Sequence, residues 1–297
     1  MSTTLQLVPE SGLTSLARAV FPLSLQSSQG PQTSHGPAIQ RSDARRARML
    51  GEFQPTTLDA LAAVSLLNRV DTKYLIPVAE LPGMLTTLVQ AYSVLDVDGQ
   101  REHTYRTTYF DTPTLALYRD HHAGRAVRHK VRSRTYVDSG LSFFEIKTRT
   151  DAGRTVKYRL ETASPLTTLT PAARTLLAAH LPPEEQALQP ILRNDFRRIT
   201  LVGLHTAERL TLDLGVQFEY EGKTAVLPGV VIAELKQSGI DRGSPVAQLM
   251  ARRQIRPTSL SKYCVGVAML LPHTIEQAFA AQLQAIQALA ARARPVR

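Results

Sequence analysis

Arg128-His-Lys-Val-Arg-Ser-Arg-Thr-Tyr-Val-Asp138 is the stretch whose reading decides the fold. Its even positions are Arg128, Lys130, Arg132, Arg134 and Tyr136; its odd positions are His129, Val131, Ser133, Thr135 and Val137. Successive side chains of a strand point to opposite faces, so as a strand this segment lines four cations on one face and sets its valines on the other. The pattern continues downstream. Glu145, Lys147 and Arg149 share a face against Phe144 and Ile146, and Lys157 and Arg159 share one against Val156, Tyr158 and Leu160. Turn signals at Asp138-Ser-Gly140 and Asp151-Ala-Gly153 join the three strands as a meander. From Arg125 through Arg159 there are ten Lys or Arg and three Asp or Glu. One such strand reads as a wet surface. Three in a row place like charges side by side, which destabilises a sheet unless an anion meets them. A sheet closed with this face inward becomes a basic tunnel, where arginine forks take phosphate oxygens two at a time.

Outward from this meander, the chain has 297 residues, 43% hydrophobic, enough to bury a large core and to exclude global disorder. Its formal charge of +10 favours an anionic partner. A single cysteine, Cys264, excludes an internal disulfide framework and a Cys-built zinc site. No apolar run reaches the roughly 18 residues of a membrane span, and no secretory signal pattern opens the chain. The expectation is a cytoplasmic protein without a membrane span. Residues 1–50 read as a disordered tail, rich in Ser, Gly and Pro over Ser27–Pro37. The basic run Arg41–Arg48 reads as solvated, with a protein partner as the alternative.

Thr56, with Asp59 three residues on, predicts a helix ending near Asn68. Alternation then predicts a strand over Arg69–Ile76 and, after Pro77, a helix with Leu81, Leu85, Leu88 and Tyr92 on one face. A helix over Thr170–His180 and strands over Ile191–Val202, Arg209–Leu214, Val216–Tyr220, Val230–Gln237 and Tyr263–Leu271 follow. The fold class is α+β: a closed antiparallel β-barrel of about eight strands around a basic tunnel, with flanking helices, over residues 51–272. Residues 273–297 form an amphipathic helix packed on the barrel.

Two Glu-x-Lys pairs, Glu145-Ile-Lys147 and Glu234-Leu-Lys236, place carboxylate and ammonium on the same strand face. Each reads as an ion pair; in a phosphate-lined cavity the carboxylate is also a natural ligand for Mg²⁺ or Mn²⁺, which complete their shell with phosphates and water. Gly222-Lys-Thr224 resembles the end of a P-loop, but Gln217 stands where its first glycine belongs, and Glu221-Gly222 reads as a hairpin turn. No G-x-G-x-x-G, H-E-x-x-H or G-x-S-x-G occurs. His121-His122 reads as a surface pair at a helix end. With no tryptophan and 6% aromatics, a stacking platform for single-stranded nucleic acid is disfavoured.

Arg69-Val-Asp-Thr-Lys-Tyr74, Tyr105-Arg-Thr-Thr-Tyr-Phe-Asp-Thr112, Arg128-His-Lys-Val-Arg-Ser-Arg134, Phe144-Glu-Ile-Lys147, Lys157-Tyr-Arg159, Phe196-Arg-Arg198, Arg209-Leu-Thr-Leu-Asp213, Glu234-Leu-Lys236 and Ser261-Lys-Tyr-Cys264 occur in one order over residues 55–270. Together they resemble the VTC domain, the polyphosphate polymerase domain of the vacuolar transporter chaperone complex, which has stand-alone bacterial relatives. The resemblance implies the triphosphate tunnel metalloenzyme fold, shared with the CYTH branch. It implies that Arg132, Arg134, Lys147, Lys157, Arg198, Arg209 and Lys236 bind phosphates of ATP or inorganic polyphosphate. It places Lys73, Ser261 and Lys262 in the catalytic set at the reacting phosphate, and a divalent metal, Mn²⁺ or Mg²⁺, on Glu234. Two positions depart: Arg149 stands where eukaryotic members have histidine, and Phe196 replaces a common tyrosine. No SPX-like or membrane segment accompanies the motifs, so coupled transport is not implied.

The function implied is transfer of the ATP γ-phosphoryl group to a growing polyphosphate chain. The alternatives are a CYTH-like triphosphate hydrolase and a non-catalytic polyphosphate or nucleotide binder. Arg69-Val-Asp-Thr-Lys73 has arginine where the hydrolases open with a first glutamate, which favours the polymerase. Nucleic acid is disfavoured, because the cations are expected inside a lumen that a duplex cannot enter.

Overall fold

Alternating apolar and polar residues build strands, and strands built this way leave two unlike faces to cover. The computed structural model describes residues 37–63, 70–227, 229–271, 283–284, 286 and 288–289. In chain order its first elements are α1 (Pro37–Gly51), β1 (Gln54–Thr56), α2 (Leu58–Ala63), β2 (Val70–Pro77), α3 (Leu81–Leu88), β3 (Tyr92–Leu95), β4 (His103–Asp111) and α4 (Ala116–His122). The meander follows as β5 (Arg128–Tyr136), β6 (Ser142–Arg149) and β7 (Thr155–Thr162), then α5 (Pro171–His180). The rest is β8 (Gln189–Gly203), β9 (Glu208–Tyr220), β10 (Lys223–Val226), β11 (Val230–Gln237), α6 (Pro245–Arg252) and α7 (Lys262–Leu270).

All strands join one 11-stranded sheet whose main path runs β2-β11-β9-β8-β4-β5-β6-β7, antiparallel at every step. The expected closed barrel is corrected here: among the described residues no ladder joins β2 to β7, so backbone pairing leaves the sheet open at that seam. Both edge strands turn lysines inward, Lys73 and Lys157, onto one cavity. Inward-pointing charge is a known device by which an edge strand avoids pairing.

The two faces bury three apolar clusters. Inside the curve, Tyr105, Tyr109, Phe196, Phe218 and Ile232 pack against Tyr263, Cys264 and Val267 of α7. Leu283 and Ile286, within the segment expected as a C-terminal helix, are buried in the same cluster. Outside β2, β11, β9 and β8, the residues alternating with the cations (Ile76, Ala233, Leu235, Leu212 and Ile199) pack beneath α1, α3 and α6. Outside the meander, Val131, Phe144 and Ile146 pack on Ala173 and Leu177 of α5.

Several expectations change. Residues 37–51, assigned above to the tail, form α1 and close the outer cluster with Leu50, 2% exposed. Arg46 donates to Glu102 at 2.6 Å and to Asp43 at 2.7 Å, and Arg197 of β8 joins the same two carboxylates. Arg46 is therefore committed within the chain, while Arg41, Arg45 and Arg48 are exposed. Residues 1–36 lie outside the described residues, as does most of 273–297. Helix α2 starts one residue later than expected, because Thr57 rather than Thr56 caps it, accepting from the Ala60 N–H at 3.2 Å; the predicted end near Asn68 lies outside the described residues. The two strands expected around Gly215 are one, β9, which passes through Gly215 at φ +59° opposite a bulge between Asp195 and Arg197. Tyr263–Leu271, expected as a strand, is helix α7. Its apolar run is buried on all sides, where periodicity does not separate helix from strand, and Ser261 caps it by accepting from the Cys264 N–H. His121 and His122 do end a helix, yet both are buried, where α4 packs on β5 and α7.

Leu50→Ala should cost about 2–5 kcal/mol of folding stability, the usual range for a buried leucine. Urea unfolding of the full chain checks it, and a change near zero would return α1 to the tail.

Candidate functional site

Antiparallel register stacks the inward cations in rows. Lys147 lies opposite Lys130 on one side and Lys157 on the other, so three ammonium groups share a row. The neighbouring row is Arg132, Glu145 and Arg159. Three carboxylates relieve the repulsion, each between two cations. Glu145, with no solvent exposure, takes Arg132 at 2.6 Å and Lys157. Asp213 accepts from Arg198 Nε at 2.6 Å and Nη2 at 2.8 Å, and from Lys262. Glu234 takes Lys73 at 3.0 Å from the directly opposed position on β2, and Lys236 beside it on β11.

Burial opposes the charge on each carboxylate, yet the cations win. Arg132, Arg134 and Lys157 hold Glu145 well below the usual carboxylate range. Lys236 and Lys73 do the same to Glu234, and Arg198 and Lys262 lower Asp213. The lysines move the other way. Burial, with Arg132 nearby, holds Lys147 well below the usual ammonium range. Burial brings Lys157 down to about 8 against the pull of Glu145. Burial brings Lys130 to about 8 as well, with Arg132 and Lys73 adding to the shift. The buried wall thus concentrates more positive charge than its surroundings tolerate.

These side chains line one cavity of about 260 Å³. Every residue to which the resemblance gave a site role reaches it (Lys73, Arg132, Arg134, Lys147, Lys157, Arg198, Arg209, Glu234, Lys236, Ser261 and Lys262), whereas Glu145 of the first Glu-x-Lys pair does not line it. Lys130, Arg149, Tyr109 and Asp213 also line it. Lys130 was legible in the alternation of β5, and Asp213 in its spacing four residues beyond Arg209. In all, eleven Lys or Arg face two Asp or Glu. Phe196, where the resemblance led to a tyrosine, uses its ring instead of a hydroxyl: Lys262 lies 4.6 Å and Arg198 5.2 Å from its centroid. Asp111, in the Tyr105–Thr112 motif, does not line the cavity. It accepts from the N–H groups of Leu117 and Tyr118 and from the Tyr263 hydroxyl at 2.6 Å, tying β4, α4 and α7 together.

A family model described as the VTC domain matches residues 68–271, the span that supplies the whole cavity lining. The chain belongs to the VTC domain family. The family binds nucleoside triphosphates and polyphosphate and is generally dependent on a divalent metal. No curated protein matches the chain. Similar solved structures include a candidate adenylate cyclase from Vibrio parahaemolyticus, 15% identical, covering 66% of this chain and 97% of that one at a TM-score of 0.40. Another, from Bacillus halodurans, is 16% identical over 65% of this chain and 95% of that one, with a TM-score of 0.40. A candidate adenylyl cyclase from Hippeastrum with a dominant triphosphatase activity is 14% identical over 67% of this chain and 95% of that one, with a TM-score of 0.41. Likeness at this level adds nothing to the assignment of the site. Among the described residues no helix is long and apolar enough to cross a membrane.

Among the described residues no group of three His, Cys, Asp or Glu is placed to hold a metal by itself. The donors present fit a different arrangement. Glu234 is ionised, lines the cavity and sits among phosphate-binding cations, which suits a hard divalent ion that completes its shell from phosphates and water.

A bound polyanion favours the charged forms of Lys130 and Lys157. Tripolyphosphate affinity should therefore fall as pH rises through about 8, with proton uptake on binding near that pH. Calorimetry in buffers of different ionisation enthalpy measures both. The empty protein should behave oppositely: its lysines are depressed below their unfolded value near 10.4, so the unfolded chain binds more protons and stability rises with pH between about 8 and that value.

Proposed function

We propose that the chain is a polyphosphate polymerase that transfers the γ-phosphoryl group of ATP to the end of a polyphosphate chain. The bond from the γ-phosphorus to the β-bridging oxygen breaks, ADP leaves with the electron pair, and a terminal oxygen of the chain forms the new bond. The observation that carries this reading is the lumen itself, with eleven cations against two carboxylates. Phosphoryl transfer asks mainly for positioning and charge neutralisation, which such a wall supplies. Arg132, Arg134, Lys147, Lys157, Arg198, Arg209 and Lys236 hold the phosphates in this scheme. Lys73, Ser261 and Lys262 meet the reacting one, Lys73 from β2 and the other two from the start of α7. Glu234 would hold the divalent ion, which supplies further neutralisation of phosphate oxygens. The clamped state of Glu145, Asp213 and Glu234 favours transfer over hydrolysis, because a carboxylate held between two cations is a poor base for water.

Purified protein with ATP and Mn²⁺ or Mg²⁺ should yield polyphosphate and ADP. Orthophosphate without polymer would establish a triphosphatase instead, and neither product with tight triphosphate binding would leave a binder. Glu234→Gln should cut turnover by about 10²-fold or more and shift metal dependence to higher concentration, with metal-free triphosphate affinity unchanged or raised. An unchanged metal titration would remove Glu234 from the metal role and leave it as the ion-pair partner of Lys73 and Lys236.

A further inference from the structure

We propose that Lys130 is a positioning residue that aims the Ser261 hydroxyl hydrogen into the cavity, at an oxygen of the bound phosphate chain. A serine hydroxyl has one hydrogen to donate and two lone pairs with which to accept. As cap of α7, Ser261 Oγ accepts from the backbone N–H of Cys264 at 3.3 Å, and it accepts from Lys130 Nζ at 3.0 Å. With both lone pairs engaged, the O–H must point away from both donors. Ser261 lines the cavity, so the direction left to it is toward the ligand. A cationic donor on the oxygen also polarises the O–H bond and strengthens it toward an anion. The same contact pins the start of α7 to the cationic wall of β5, across 131 positions of sequence.

The surroundings of Lys130 determine when this holds. Lys147 faces it from β6, Lys73 from β2, His121 from α4 and Cys264 from α7, with Arg128 and Arg132 on its own strand. Burial, with Arg132, Lys73 and Arg128, lowers its ammonium to about 8 against the pull of Cys264. Once neutral, the amine accepts from Ser261, and the hydroxyl turns from the phosphate. The role rests on the cavity binding a phosphate chain, and is indifferent to whether that chain is extended or hydrolysed.

The test is a double-mutant cycle on the full chain, titrating inorganic tripolyphosphate without metal at pH 7 into wild type, Lys130→Met, Ser261→Ala and the double variant. Ser261→Ala should weaken binding roughly tenfold. Lys130→Met should then cost at least about fivefold less in that background than in wild type, and the coupling should shrink toward unity at pH 9. Ser261→Thr, which keeps cap and hydroxyl, should restore it. A variant that fails to melt cooperatively is replaced by Lys130→Gln in the same cycle. Factors that multiply to within about twofold would reduce Lys130 to one more wall charge and overturn its positioning role. Absent tripolyphosphate binding by wild type would remove the phosphate site and that role together, whereas absent polymer formation from ATP would sink the polymerase reading alone.

Discussion

Eleven cations turned onto one cavity repel one another, by roughly 4 kcal/mol per pair at 4 Å with an effective dielectric of 20. The structure bears this with three carboxylates, Glu145 on β6, Asp213 on β9 and Glu234 on β11, each gripping cations from more than one position in the wall. Their placement is distributed: Glu145 ties β5 to β7, Asp213 ties β8 to the start of α7, and Glu234 ties β11 to β2. Each carboxylate therefore acts as a rivet as well as a counter-charge. Removing one would release two cations against their neighbours, which makes these acids costly to replace even where none touches a ligand.

What could be read from the sequence follows from which physical rule had only one solution. The inward and outward sets of β5, β6 and β7 were legible because period-two alternation admits a single assignment of faces, and the outer faces meet apolar partners on α5. The family resemblance, resting on motif order along the chain, named eleven residues from segments far apart that meet at one cavity. Alternation is silent about edges. Nothing in it says whether β2 and β7 pair, because both strands obey the pattern whether or not a ladder joins them.

Helix α7 and helix α1 escaped for opposite reasons. The run from Tyr263 to Leu270 is apolar all round because it is buried inside the curved sheet, so it lacks the polar stripe that marks a helix. Gly266 gives the closest sign of its setting: a Cβ there would fall 2.5 Å from Leu192 and 2.6 Å from Phe218, so only glycine lets the helix nest on β8 and β9. In α1 the polar residues dominated the reading. Its anchoring rests on two arginines, two acids and Leu50, with ion pairs made to segments 56 to 154 residues away, which no local pattern reports.

The seam between β2 and β7 bears on how the cavity can change size. A barrel sealed by a complete ladder has a circumference set by its strands, and widening it means rupturing backbone hydrogen bonds in sequence. Among the described residues no ladder joins β2 to β7; the outer edge of β2 takes the Thr258 N–H at the Lys73 carbonyl instead, and each edge strand is laddered only to its inner neighbour, β11 or β6. The sheet can flex like an open collar, its diameter following the girth of whatever lies within, at the cost of bending strands and not of breaking them.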